Sequence, residues 1–351
     1  MQFIKPDINL DIIGKRYIAY SVSAVFLIIA VVSLIMHGGP KYGIDFSGGT
    51  EITVHFNTPT NTADVRGMLN QAGLNRASIQ RFGEADENEF RIRLDLAQED
   101  ESAASAIQDQ IQDALGDRAE ILSVEMVGPQ VGADLRGKAM SAMFYALLFI
   151  SIYISGRFEF KWAEAAIIAA AILGLTLLFG RMGVPLAWLA VIALGTALAG
   201  FYFLQLKYAM GAIVALIHDV VITVGLFSIL DIEFNLPIIA ALLTIIGYSL
   251  NDTIIVFDRI RENNKKLARK PLELIINRSI NETFSRTILT SFTTLMVVTA
   301  LFLLGGEILR NFALALLVGI LVGTYSSIYV ASPVLLIWQK KMRSGLATQN
   351  R

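Results

Sequence analysis

The chain has 351 residues, 54% of them hydrophobic and 17% charged, with a formal net charge of −1. That balance is too apolar for an ordinary soluble protein and names no nucleic-acid partner. There is no cysteine, which excludes a disulfide framework, a thiol nucleophile and a cysteine metal site.

Lys15 and Arg16 precede a first apolar run, Tyr17–Met36. About 20 apolar residues suffice to cross a bilayer. The run is long for a signal peptide and no A-x-A site follows, so it reads as a retained span. An acidic insert follows, with 17 Asp and Glu against 7 Lys and Arg between His37 and Asp134. Within it Thr50–Phe56 and Glu89–Leu96 alternate as half-buried strands. Ala77–Phe82 and Ile121–Val127 supply two more strands. Asn61 or Thr62 starts a helix running to about Ala72, and Asp100–Leu115 is an amphipathic helix stopped by Gly116. The order β-α-β-β-α-β is the ferredoxin-like split βαβ pattern.

Seven further apolar runs follow: Ala139–Ser155, Ala163–Phe179, Leu186–Leu204, Ala209–Leu230, Leu236–Phe257, Thr287–Leu304 and Phe312–Trp338. The expected fold is a polytopic α-helical membrane protein of about eight spans, with a small α+β domain between the first two. Basic residues cluster before the first span and after the second, sixth and last, with Lys340, Lys341 and Arg343 in the final group. The positive-inside rule then places both termini in the cytoplasm and the acidic insert outside. Arg181 and Arg310 are lone exceptions. The chain divides into a cytoplasmic N-terminus (1–16), a first span (17–36), the outer domain (37–137) and a second span (138–156). A two-span segment (162–207), a four-span remainder (208–338) and a cytoplasmic tail (339–351) complete it.

Asp252 lies inside the sixth apolar run. A carboxylate at the bilayer centre costs about 2.5–3.5 kcal/mol on insertion scales, and an intramembrane acid is by default an ion or proton site. Gly247, Ser249 and Asn251 fall close to it; a structural polar cluster is the blander reading. Burial and a nearby cation pull a carboxyl group's proton affinity in opposite directions. His218 and Asp219 sit mid-way along the fifth run and read equally as a fixed hydrogen-bonded tie or as a relay. Thr223 extends their face. Arg286 opens the seventh run, and Thr290, Thr293 and Thr294 continue a polar stripe. From spacing alone Arg286 is an interfacial anchor. Gly319, Gly323 and Ser327 recur every four residues, which permits close helix packing. Neither a phosphate-binding loop nor a hydrolase or metalloprotease motif is present, so the chain is expected to be no enzyme and to use no cofactor or metal.

Five segments in order closely resemble the SecF family of protein-export membrane subunits, within the resistance–nodulation–division superfamily. They are Tyr42–Thr50 (YGIDFSGGT), Val127–Gly132 (VGPQVG), Ala215–Asp219 (ALIHD), Ile246–Thr253 (IGYSLNDT) running on to Asp258–Asn263 (DRIREN), and Ser285–Thr287 with Thr290 and Ser291. The resemblance implies pairing with SecD in the bacterial cytoplasmic (inner) membrane. It also implies use of the proton-motive force to assist late passage of unfolded preprotein through SecYEG, with SecA and YajC in the wider system. It places Asp252 on the proton path with Arg286 as its associated basic residue. Asn251, Thr290, His218 and Asp219 stand in the matching segments. Asp45, Phe46, Ser47, Gly48 and Gly49 form the matching motif of the outer domain. One departure stands out. Family members usually have six spans, with the Arg157–Phe160 stretch running almost directly into the third, whereas here the hairpin 162–207 intervenes. A small-molecule efflux transporter and a non-transporting translocon scaffold are the alternative readings.

Overall fold

A computed structural model of the chain describes residues 9–75, 77–82, 88–94, 101–184 and 186–338. The whole of the expected tail 339–351, with Lys340, Lys341 and Arg343, lies outside the described residues, as do Asp95, Leu96, Asp100 and residues 1–8. The chain divides into two compact units. One comprises Lys41–Met140 with Glu233–Ile239; the other comprises Met1–Pro40, Ser141–Ile232 and Ala240–Arg351.

The first unit is built on a four-stranded antiparallel sheet. Its strands are β1 (Gly49–Phe56), β2 (Ser78–Phe82), β3 (Glu89–Leu94) and β4 (Ala119–Val127), in the order β2-β3-β1-β4. The register sets Ile52 opposite both Ile92 and Val124. Period-two alternation therefore puts Ile52, Val54, Phe56, Phe90 and Ile92 on one buried face. Two helices cover it, α3 (Thr62–Gln71) through Val65 and Leu69, and α4 (Glu101–Leu115) through Ile111 and Leu115. Asn61 is the cap of α3, its Oδ1 accepting from the Asp64 amide at 2.9 Å. This strand order is that of the ferredoxin-like pattern.

A short helix ahead of β1, α2 (Ile44–Ser47), is a feature the alternating pattern did not signal. It ends at Gly48, whose φ of +76° suits glycine. A Cβ at Gly48 would stand 2.8 Å from the Pro129 Cα, and one at Gly132 would stand 2.9 Å from the Gly48 amide. The two glycine-bearing segments quoted above thus pack backbone against backbone.

The second unit is helical. Its elements are α1 (Arg16–Met36), α6 (Trp162–Arg181), α7 (Leu186–Phe203), α8 (Lys207–Ile229), α10 (Leu272–Leu304) and α11 (Gly306–Ser326), with α5 (Pro129–Glu159) from Ser141 onward and α9 (Leu236–Lys266) from Ala240 onward. Among the described residues, seven helices are long and apolar enough to cross a membrane; in α7 the qualifying stretch, Val191–Phe203, is shorter. The protein is a multi-pass helical membrane protein with a small sheet domain. Three helices outrun the apolar runs: α5 begins at Pro129, α9 continues to Lys266, and α10 begins at Leu272. Proline suits the first helical position of α5, where its missing N–H costs nothing.

Small residues set the tightest helix contacts. A Cβ on Gly225 of α8 would fall 2.2 Å from the Ala30 Cβ of α1. Gly319 and Gly323 of α11 face Ile245 and Ser249 of α9, at 2.3 and 2.9 Å from an added Cβ. In the hairpin α6–α7, Gly200 lies against Ile168. After α11 the backbone takes a π turn, Ser327–Ala331, before helix resumes. The stretch before α1 is docked rather than free: Asn277 Oδ1 accepts the Ile12 amide at 2.8 Å, and Asn281 both accepts from and donates to the Leu10 backbone. Ile12 and Ile13 are buried.

Candidate functional site

Asp219 is fully buried on α8. Its Oδ1 pairs with His218 Nδ1 at 2.9 Å, and its Oδ2 accepts from Ser249 Oγ of α9 at 2.6 Å and from Ser326 Oγ of α11 at 2.8 Å. The other imidazole nitrogen, His218 Nε2, meets Ser23 Oγ of α1 at 3.1 Å. Ser23 in turn touches the Tyr325 hydroxyl, and that hydroxyl donates to the Ala19 carbonyl. Tyr325 also stacks on the His218 ring. Four helices therefore converge on one carboxylate with both oxygens occupied. A buried charge is tolerable only when it is hydrogen-bonded in this way. Thr223 closes its own bond to the Asp219 carbonyl and stays on the same buried face.

Asp252, one helical turn beyond Ser249, is buried to 1% exposure and is bonded differently. Its Oδ2 receives one long contact, 3.4 Å from Ser291 Oγ of α10, and Ser291 is shared with Thr324 of α11 at 2.7 Å. Among the described residues its Oδ1 has no hydrogen-bond partner, and neither has the buried Thr287 Oγ1 of α10. A carboxyl group with an open oxygen has room to carry a proton, which turns that oxygen from acceptor to donor. The neighbouring Thr253 ties α9 to Ser327 in the π turn at 2.8 Å. The π turn thus stands where Ser326 reaches Asp219 and Ser327 reaches Thr253, and single π turns in helices frequently mark functional sites.

The expected residues do not all join this cluster. Arg286 is exposed on α10, and among the described residues no ion pair joins it to Asp252. Asn251 points to the exposed face of α9. Thr290 bonds back to carbonyls of its own helix, and its carbonyl accepts from the Tyr248 hydroxyl of α9 at 3.0 Å. Ser23, Ser326, Thr324 and Tyr325 escaped sequence reasoning. The available signal was weak: adjacent hydroxyl residues within an apolar run, next to the small-residue repeat.

In the sheet unit, Asp45 Oδ2 accepts from the Leu236 amide at the start of α9, at 2.9 Å. Ser47 Oγ, on the exposed side of α2, donates to the Gly43 carbonyl and accepts from Arg93 at 2.6 Å. Phe46 is buried, Gly48 makes the turn, and Gly49 opens β1.

The sequence matches the profile of the protein export membrane protein SecD/SecF C-terminal family over residues 107–198 and 177–341. It also matches that of the SecD/SecF GG motif over residues 33–60. The two C-terminal stretches overlap over residues 177–198, inside the hairpin α6–α7. It is 41% identical to the protein translocase subunit SecF of Magnetococcus marinus, over 99% of this chain and 98% of that one. It is 39% identical to that of Desulfurispirillum indicum, over 93% and 90%. Among solved structures it resembles SecDF of Thermus thermophilus, a translocon-associated membrane protein, with a TM-score of 0.71 and 32% identity. The match covers 96% of this chain and 40% of that longer one. A second SecDF structure, in a super-membrane-facing form, gives 0.57 and 33%. The paired glycines against the Pro129 segment, the His218–Asp219 tie and the buried Asp252 are the places where those matches and the geometry meet, and the chain belongs to the SecF family of protein translocase subunits.

Proposed function

We propose that this chain, paired with SecD, uses proton movement through Asp252 to assist the late export of unfolded polypeptide through SecYEG, with SecA and YajC in the wider system. It works in the bacterial inner membrane, with both termini cytoplasmic and the sheet domain on the outer side. The reading calls for no enzyme chemistry and no cofactor.

The observation that carries it is the contrast between the two membrane carboxylates. Asp219 has its oxygens filled from three other side chains, whereas among the described residues Asp252 leaves Oδ1 without a partner and holds Oδ2 through one long contact to Ser291. Protonating Asp252 removes a buried charge and lets the same oxygen donate. Deprotonation restores an acceptor that draws on Ser291. Helix packing around α9 then has two arrangements. Each charge crossing the potential supplies about 2.3 kcal/mol per 100 mV, so a few protons suffice for a domain movement.

The test is export in vesicles holding SecYEG and the SecD-paired chain, with and without a proton gradient. Asp252→Asn, still paired with SecD, is expected to export at the gradient-free rate under both conditions. Retained gradient stimulation contradicts the reading.

A further inference from the structure

The first turn of α9, the helix that carries Asp252, is built into the sheet unit, which includes Glu233–Ile239. Several independent contacts hold it there. The Gly43 amide donates to the Phe234 carbonyl and the Phe234 amide donates to the Lys41 carbonyl, both at 2.7 Å, a parallel bridge between Tyr42 and Phe234. Glu233 meets Lys41 at 3.6 Å and Arg93 of β3 at 3.2 Å. Arg93 reaches on to the Tyr42 carbonyl at 2.8 Å and to Ser47 Oγ. The helix itself starts on two side-chain acceptors. Asn235 Oδ1 takes the Ile238 amide at 3.1 Å, and Asp45 Oδ2 takes the Leu236 amide. Amides at a helix start have no partner within the helix, and a carboxylate there is favoured by the helix dipole.

From these contacts we infer that Asp45 is a positioning residue for proton coupling: with Glu233 and Arg93 it latches the start of α9 to the sheet domain, so that re-seating of α9 around Asp252 moves that domain. The inference rests on the proton reading of Asp252. Its physical basis is continuity. Asp252 lies sixteen residues along the same unbroken helix from Leu236, and a helix bonded at every turn shifts as a body more readily than it shears. Asp45 does not exchange the proton. Its carboxylate fixes where the helix begins, and the ion pairs to Glu233 keep the preceding loop from yielding in its place.

The chain's lack of cysteine allows a direct test. An ideal Cβ on Gly43 stands 3.7 Å from the Asn235 Cβ, within the range that a disulfide spans. Asp45→Ala is made alone and together with Gly43→Cys and Asn235→Cys, each in the SecD-paired chain, and gradient-dependent export and proton uptake are both read. Asp45→Ala is expected to keep proton uptake while export stimulation falls about 5-fold or more, the lower end of ordinary coupling. Oxidising the cysteine pair restores stimulation in the same protein in which the reduced pair fails. The inference is overturned if Asp45→Ala exports as the parent does, if proton uptake falls together with export, or if oxidation restores nothing. Should Asp45→Ala fail to assemble, the cysteine pair is oxidised with Asp45 in place: retained stimulation supports a latch that stays closed, and loss on oxidation overturns it. Failure of the proton reading itself shows separately, as full stimulation in Asp252→Asn.

Discussion

Ser249 of α9 donates to the Asp219 carboxylate of α8 at 2.6 Å, so the helix that carries one membrane carboxylate is bonded to the other. A movement of α9 around Asp252 therefore acts directly on the four-helix junction at Asp219. Asp219 is otherwise satisfied by His218 and Ser326, so it is the more fully bonded of the two carboxylates, and the proposed proton exchange falls to Asp252.

Removing one member of the Asp219 junction is expected to be costly. His218→Ala leaves a buried carboxylate short of its strongest partner, and breaking a buried pair costs about 3–5 kcal/mol. Ser326→Ala removes one of the two hydroxyl donors and costs about 1–3 kcal/mol. Thermal unfolding of the two variants in one detergent checks the ranking; equal losses would deny His218 its place as the dominant tie.

Gly225→Val is expected to separate α1 from α8. Even a Cβ there would stand 2.2 Å from the Ala30 Cβ, and overpacking of this kind costs about 1–3 kcal/mol. The separation also stretches the bond between Ser33 and Ser228, which is 2.8 Å long. Gly180→Val is the contrast, because its nearest atom is a Leu189 methyl group at an ordinary 3.7 Å. A larger loss of thermal stability for Gly225→Val than for Gly180→Val is the predicted result.

Glu51 of β1 gives the sheet domain a pH dependence. Burial pushes its proton affinity up, opposed by Arg91, whose guanidinium stands 2.7 Å away, and reinforced by Glu233 and Glu125. The folded form therefore holds its proton to higher pH than the unfolded form does. The associated stability is fully present below the ordinary glutamate value of about 4.3, and it is lost as pH rises through the raised folded value. Glu51→Gln is expected to flatten this dependence. Hydrogen exchange of the β1 and β3 amides across that range, corrected for intrinsic rates, is the check; a slope unchanged by Glu51→Gln would refute the assignment.

The parts legible in the sequence were those written as periodicity. Alternation in Thr50–Phe56 and Phe90–Leu94 fixes the inner face of the sheet, and the Gly319–Gly323–Ser327 repeat points to the α9–α11 contact. The pairing of partners was not legible, because it depends on how helices far apart in the chain rotate against one another. The His218–Asp219 pair needed Ser23, Ser249 and Ser326 from three other helices, and serines in apolar runs are too common to single out. Arg286 and Asp252 lie at compatible depths in sequence, yet the rotation of α10 turns Ser291 toward Asp252 and leaves Arg286 exposed. The docked segment before α1 was hidden for the same reason, since Asn277 and Asn281 lie more than 260 positions downstream.

Asp252 is proposed to change between charged and neutral forms as the gradient is applied. Infrared difference spectroscopy of the SecD-paired chain in sealed vesicles, with and without a proton gradient, measures this at the protonated-carboxyl stretch. A gradient-dependent band is expected in the parent chain and in Asp45→Ala, and none in Asp252→Asn. A band that survives Asp252→Asn, or the lack of any gradient-dependent band in the parent chain, would contradict the proposal.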